Sequence, residues 1–234
     1  MSQGAMSQRS RASLMGEGVM RVSSNSLEDT LSLLTGAARD AIDGVEFASV
    51  SLTYGAGQRS SLGATDPIVL KADALQAELG EGPMVEALDA VIVHSEDVGS
   101  DPRWPSYGRR AIELGVKAQT SVRLRENAHV VGTLNLYSTS VRPLDDPSST
   151  VALLFAAQAT TAVSFASRVE TLTKAIANRQ DISQAIGIIM ERHGLDESHA
   201  FAHLVNVSQT TQVKLRVIAR DLIERANTRR PGQS

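Results

Sequence analysis

The sequence predicts an α+β protein: an antiparallel sheet flanked by helices, then a long coiled-coil helix leading into a small all-α module of three helices. Three observations carry that reading. Between Gly44 and Ser138, stretches that alternate with period two are interleaved with stretches of helical period. The last two alternating stretches are separated only by "ENA", which makes them an antiparallel hairpin. After Pro147 no strand pattern appears, and neither Pro nor Gly occurs again before Gly187.

The elements follow in order. Ser26 with Asp29 resembles a capping box with Asp in place of Glu, and it opens a helix through about Ile42 with Leu27, Leu31, Leu34 and Ala38 on its apolar face. "GVEFASVSLTYG" alternates as a strand, with Val45, Phe47 and Ser49 facing one way. "SSLGAT" is a second strand. "DPIVLKADALQAELGEG" is a helix with Asp66 at the N-cap and Pro67 at the first helical position. "GPMVEALDA" is a short helical turn, "VIVHS" a short strand and "EDVGSDPRWPS" a loop. A helix near Tyr107 to Leu114 precedes the hairpin strands "QTSVRLRE" and "HVVGTLNLYST".

From Pro147 to Gly194 the pattern is one helix of more than forty residues. A heptad places Phe155, Ala162, Val169 and Ile176 in one position, and Gln158, Phe165, Leu172 and Arg179 in the other. The phase breaks between Ile176 and Ile182, which are six residues apart. Such a stripe needs a partner, and a second copy in parallel is the simplest one, with Phe155, Ala162, Phe165, Val169, Leu172 and Ile176 at the dimer seam. "LDESHAFAHLVNV" is then a helix capped by Asp196, with Ala200, Leu204 and Val207 inside and Phe201 expected in the core. "SQTTQ" is expected to be a tight junction, and a third helix from about Thr211 to Ala226 buries Leu215, Ile218, Ala219 and Leu222. Gly187, in mid-helix, is expected to let a neighbouring backbone approach.

Composition limits the chemistry. The 234 residues are 42% hydrophobic but only 3% aromatic, so the core must be Val, Leu, Ile and Ala. The absence of cysteine removes disulfides, thiolate zinc sites and cysteine nucleophiles, and suits a reducing cytoplasm. No run reaches ~18 apolar residues, and residues 1–26 form a polar tail without an apolar signal core, holding Met6, Met15 and Met20 as alternative starts. The net charge of −3 divides into −6 before Lys174 (fourteen basic, twenty acidic) and +3 from there on (nine basic, six acidic). A polyanionic partner would therefore meet the C-terminal end. Gly-x-Ser-x-Gly and Gly-Lys-Ser/Thr signatures are absent, so no enzyme is expected. His199 and His203 lie one helical turn apart, but no third ligand has suitable spacing and no metal is expected.

The run "ANRQDISQAIGIIMERHG…SHAFAHLVNVSQTTQVKLRVIARDLI" resembles an ANTAR domain. Arg179, Ile182, Ala185, Gly187, Met190, Ala200, Leu204, Ser208, Lys214, Leu215 and Ala219 carry the likeness. "GEGPMVEAL", "DPRWPSYGRRAIELGVKAQTSVRL" and "VVGTLNLYS" resemble a GAF sensor domain. The whole is similar to GAF–ANTAR regulators of actinobacterial type. The resemblance implies a tail at 1–26, a GAF-like sensor domain at 27–167, a signalling helix at 147–180 overlapping the boundary, an ANTAR module at 177–227 and a tail at 228–234. It implies RNA-hairpin binding and transcription antitermination in response to a signal. RNA contacts would come from Arg179, Gln184, Arg192, Ser208, Gln209, Thr211, Gln212, Lys214, Arg216 and Arg220, with Ser208 and its neighbours also serving as N-cap of the third helix. A small-molecule pocket in the sensor would use Tyr54, Met84, His94, Trp104 and Tyr107; alternatively Trp104 only plugs the core. No cofactor is named by any motif. The chain departs from the family at Ile186, Val205 and Gln212, where the family has a basic residue, Arg and Asn. Two other readings stand beside this one: a sensor whose helical tail binds protein partners, and a DNA-binding regulator of helix-turn-helix type.

Overall fold

Local sequence signals set the element boundaries in the computed structural model, which describes residues 26–54 and 58–228. Both terminal tails otherwise lie outside the described residues, as do Arg229 and Arg230. Helix α1 covers 26–41. Strands β1 (Phe47–Thr53) and β2 (Arg59–Leu62) follow, then α2 (Pro67–Leu79), α3 (Pro83–Glu86), β3 (Ile92–Ser95) and α4 (Pro105–Glu113). The hairpin strands are β4 (Ala118–Glu126) and β5 (His129–Ser138); helices α5 (Asp146–His193), α6 (Glu197–Thr211) and α7 (Leu215–Thr228) complete the chain. Asp66 caps α2 by accepting from the Ile68 N–H at 2.8 Å.

Within residues 26–168, one of two compact units, the five strands form one antiparallel sheet in the order β2-β1-β5-β4-β3. Both sheet faces are covered. On one, Ala48, Val50, Leu52, Val122, Leu124, Leu134 and Leu136 pack against α1 and against Ala152, Ala156, Ala159 and Val163 of α5. Those small residues recur at helical spacing, so α5 can lie close to the sheet. Gly63, at φ +58°, brings the chain onto α1: a Cβ there would stand 2.7 Å from the Leu31 carbonyl carbon. Glu28 accepts the Gly63 N–H at 2.9 Å, and Thr35 donates to the Gly63 carbonyl at 2.5 Å. On the other face, Val69, Ala72 and Leu75 of α2 pack with Trp104, Tyr107, Ala111 and Tyr137.

By length and composition alone α5 contains a stretch apolar enough to cross a bilayer, at a mean hydropathy of 1.4. No uninterrupted apolar run of that length occurs in it, because Ser, Thr and Gln residues are interspersed. In the structure its alanines serve the sheet core instead.

The second unit, residues 169–228, is helical throughout. Ala185, Ile186, Ile189, Ala200, Leu204, Ala219 and Ile223 form its core, with Ile182, Ile188 and Leu215 half-buried against it. Four expectations are corrected. Helix α6 continues through "SQTT" to Thr211, so Ser208 is no N-cap, and α7 begins at Leu215. The reason is Gln212, which takes a left-handed φ of +56°, a conformation that glycine more often supplies, and ends α6 there. Gly187 is exposed with nothing within 4 Å of a Cβ built on it, so no backbone among the described residues approaches it. Phe201 is 45% exposed rather than buried. Phe155 and Ala162 are half-buried against the sheet core, not turned outward.

Candidate functional site

The helical module is held by caps and a packed seam. Gly194, at φ +62°, reverses the chain after α5. Asp196 then caps α6, accepting the His199 N–H at 2.9 Å and the Ser198 hydroxyl at 2.7 Å. These bonds, the His199 amide first, hold its carboxyl far below the usual range. The His193 and His203 rings lie 5.7 Å apart.

The cations of this module fall into two groups. Arg220 of α7 reaches Asp181 of α5, Nε to Oδ2 2.7 Å, and Arg225 pairs with Asp221 on its own helix at 2.8 Å. Arg179, Arg192, Lys214 and Arg216 are exposed and form no ion pair among the described residues. Lys214 and Arg216 flank the start of α7, whose helix dipole adds positive potential. The Lys214 carbonyl accepts the Val217 N–H at 2.8 Å and opens the helix.

The polar candidates divide in the same way. The Ser208 hydroxyl donates to the Val213 carbonyl at 2.6 Å, and Thr211 donates back to the Val207 carbonyl at 2.7 Å. Gln212 donates through Nε2 to the Gln209 carbonyl at 2.9 Å, and its Oε1 has no hydrogen-bond partner among the described residues. Gln184 and Gln209 are exposed, and their side chains form no hydrogen bond among the described residues. Ile186 is only 9% exposed and belongs to the core, whereas Val205 is half-buried.

The sensor candidates are not gathered around one cavity. Tyr54 is 50% exposed. Met84, Trp104 and Tyr107 are buried on the α2–α4 side of the sheet. Trp104 packs in the core of that face, under the Arg103 guanidinium at 4.0 Å. Arg103 pairs with Asp101 at 2.8 Å and with Glu86 at 3.3 Å, and holds the Asp101 carboxyl down at about 2. His94 lies on the opposite face, bridging Thr120 Oγ1 (2.9 Å) and the Arg142 carbonyl (3.0 Å). Burial pushes its pKa down. It lines a cavity of about 20 Å³ with Arg142 and Leu136, room for about one water.

Sequence reasoning missed the main polar feature of the sensor. Asp73 of α2 is fully buried and accepts from Ser49 (2.8 Å), Ser51 (3.1 Å), Ser61 (2.6 Å), Asn135 (3.2 Å) and the Tyr137 hydroxyl. The network continues through Gln76 to the Met84 N–H (2.9 Å) and through Gln119 to the Tyr107 hydroxyl (2.5 Å). Burial pushes the Asp73 carboxyl above its ordinary value, against the pull of these donors. The Tyr107 and Tyr137 phenols are also pushed up, first by burial and then by the Asp73 charge. The available signal was serine at alternate positions of "ASVSL", which points polar groups inward once that face is covered.

Family models place both halves. A model described as the GAF domain matches residues 24–164, and one described as the ANTAR domain matches residues 170–223. The chain is a GAF–ANTAR protein. Solved structures similar to its GAF half include the GAF3 domain of Slr1393 from Synechocystis sp. PCC6803 in its photoproduct state. That match has a TM-score of 0.53 at 12% identity, covering 62% of this chain and 98% of that one. A domain ascribed to a two-component sensor histidine kinase of Sinorhizobium meliloti 1021 matches with a TM-score of 0.52 at 18% identity, covering 63% and 96%. At such identities these likenesses establish the fold of the GAF half and no more. No curated protein matches the GAF–ANTAR chain.

Proposed function

We propose that this GAF–ANTAR protein is a cytoplasmic regulator that binds RNA hairpins through its ANTAR module and favours transcription antitermination in response to a signal at its GAF domain. The observation that carries the reading is the ANTAR match over a module that keeps Arg179, Arg192, Lys214 and Arg216 exposed and unpaired among the described residues. Free cations gain more from phosphate than cations already engaged by carboxylates. The role is one of binding rather than catalysis.

The protein acts as a parallel homodimer through α5. Phe165, Leu172 and Ile176 of that helix are 70%, 64% and 61% exposed, an apolar content that a helix in water keeps only for a partner. A signal at the GAF domain shifts the pairing of the two helices by no more than its differential affinity for the two arrangements. The signal itself is a small molecule or another input to the GAF domain.

Binding of stem–loop RNA, followed by fluorescence anisotropy across a salt series, tests the reading. The wild-type protein should bind with an affinity that falls steeply with salt, and the double substitution Lys214→Ala, Arg216→Ala should flatten that slope by about one per lost phosphate contact. No binding at low salt, or a slope untouched by the double variant, would remove the phosphate role assigned to these residues.

A further inference from the structure

We infer that Phe201 is a stacking platform for an unpaired RNA base and makes the ANTAR module selective for loops over stems; this rests on the RNA-binding reading above. Phe201 is the only Phe, Tyr or Trp between residues 169 and 228. The module core is built from Ala, Ile and Leu, and Phe201 stands outside it, 45% exposed on α6. An aromatic ring left in water loses the burial that a core position would supply.

What lies along the same flank of α6 points to a nucleobase. Val205, Ser208 and Gln209 follow Phe201 at intervals that keep them on one side of α6, and Gln212 forms the left-handed turn that ends the helix. The Ser208 hydroxyl is engaged with the Val213 carbonyl. The Gln209 side-chain amide forms no hydrogen bond among the described residues, and Gln212 keeps its Oε1 after donating through Nε2. An amide offers both donor and acceptor atoms, the combination that base edges require. The flank thus presents one ring for a π-face and the Gln209 amide for base edges, and the turn that ends α6 carries a second amide.

Cations alone cannot distinguish loop from stem, because both carry the same phosphates. A ring can, because only an unstacked base can lie against it. Every base has a π-face, so the platform selects for exposure of a base rather than its identity.

The test uses a stem–loop RNA with an all-adenosine loop, and the same stem closed by a flexible non-nucleotide linker. Phe201→Ala and Phe201→Leu should each weaken binding to the adenosine loop roughly five- to hundred-fold, the range found for loss of one stacked base. Phe201→Trp should restore it and show quenched indole emission on binding. All variants should bind the linker-closed stem equally, and their thermal unfolding should match wild type. If Phe201→Leu binds the loop as wild type does, or if wild type does not prefer the loop to the linker, stacking is wrong while phosphate binding stands. If wild type binds neither RNA at low salt, the RNA-binding reading falls and the platform with it.

Discussion

Asp73 shows what one buried carboxylate does to a sensor domain. It gathers donors from three strands on its side of the sheet, β1, β2 and β5, without a cation among its partners. Replacing it by Ala would orphan those buried donors, and the sensor should lose roughly 2 kcal/mol or more in thermal or urea unfolding. Its raised folded pKa also gives stability a pH dependence. Above the unfolded carboxyl value the unfolded chain has lost its proton while the folded one keeps it. Stability from this group is therefore full at low pH and falls as pH rises through the folded pKa. Asp73→Asn should remove that slope, and a slope unchanged in the variant would contradict the assignment. This network was hard to read from sequence, because period two showed that Ser49 and Ser51 share a face but not that α2 covers it. Asp66 and Asp196 were legible because a cap depends on neighbours in sequence rather than on tertiary packing.

At the scale of elements, the long helix and its breaks were legible while its orientation was not. Helix α5 carries two apolar stripes, and periodicity alone does not say which one meets the sheet. The small Ala152, Ala156 and Ala159 decide it, because they let the helix approach closely. Phe165, Leu172 and Ile176 are left outside. The chain has no cysteine, so a single Ile176→Cys variant reports cleanly on pairing. In a parallel dimer it should form a disulfide-linked dimer under mild oxidation, and Phe165→Asp should abolish that product. A monomer at all concentrations in wild type would end the dimer proposal. The end of α6 was misplaced for a related reason: no Gly or Pro marks it, and Gln212 adopts the left-handed turn without one. Gln212→Gly should stabilise the module by up to about 1 kcal/mol. It should also weaken RNA binding if the Gln212 side chain reads a base, so melting and affinity should move in opposite directions.

The molecule as a whole joins a GAF domain, whose sheet is covered on both faces, to an ANTAR module whose cations are partly spent on internal pairs. The two-part organisation was legible because strand patterns stop at Pro147 and because the motifs of both families lie in contiguous sequence. The division of cations was not, since the Arg220–Asp181 pair joins residues 39 apart in sequence. The most direct measurement is to crosslink the protein to RNA in the cells that produce it and sequence what is recovered. Recovery should be enriched in stem–loops with shared loop bases, and the Lys214→Ala, Arg216→Ala protein should lose that enrichment. Recovery at background, equal for both proteins, would contradict RNA binding as the function of this chain.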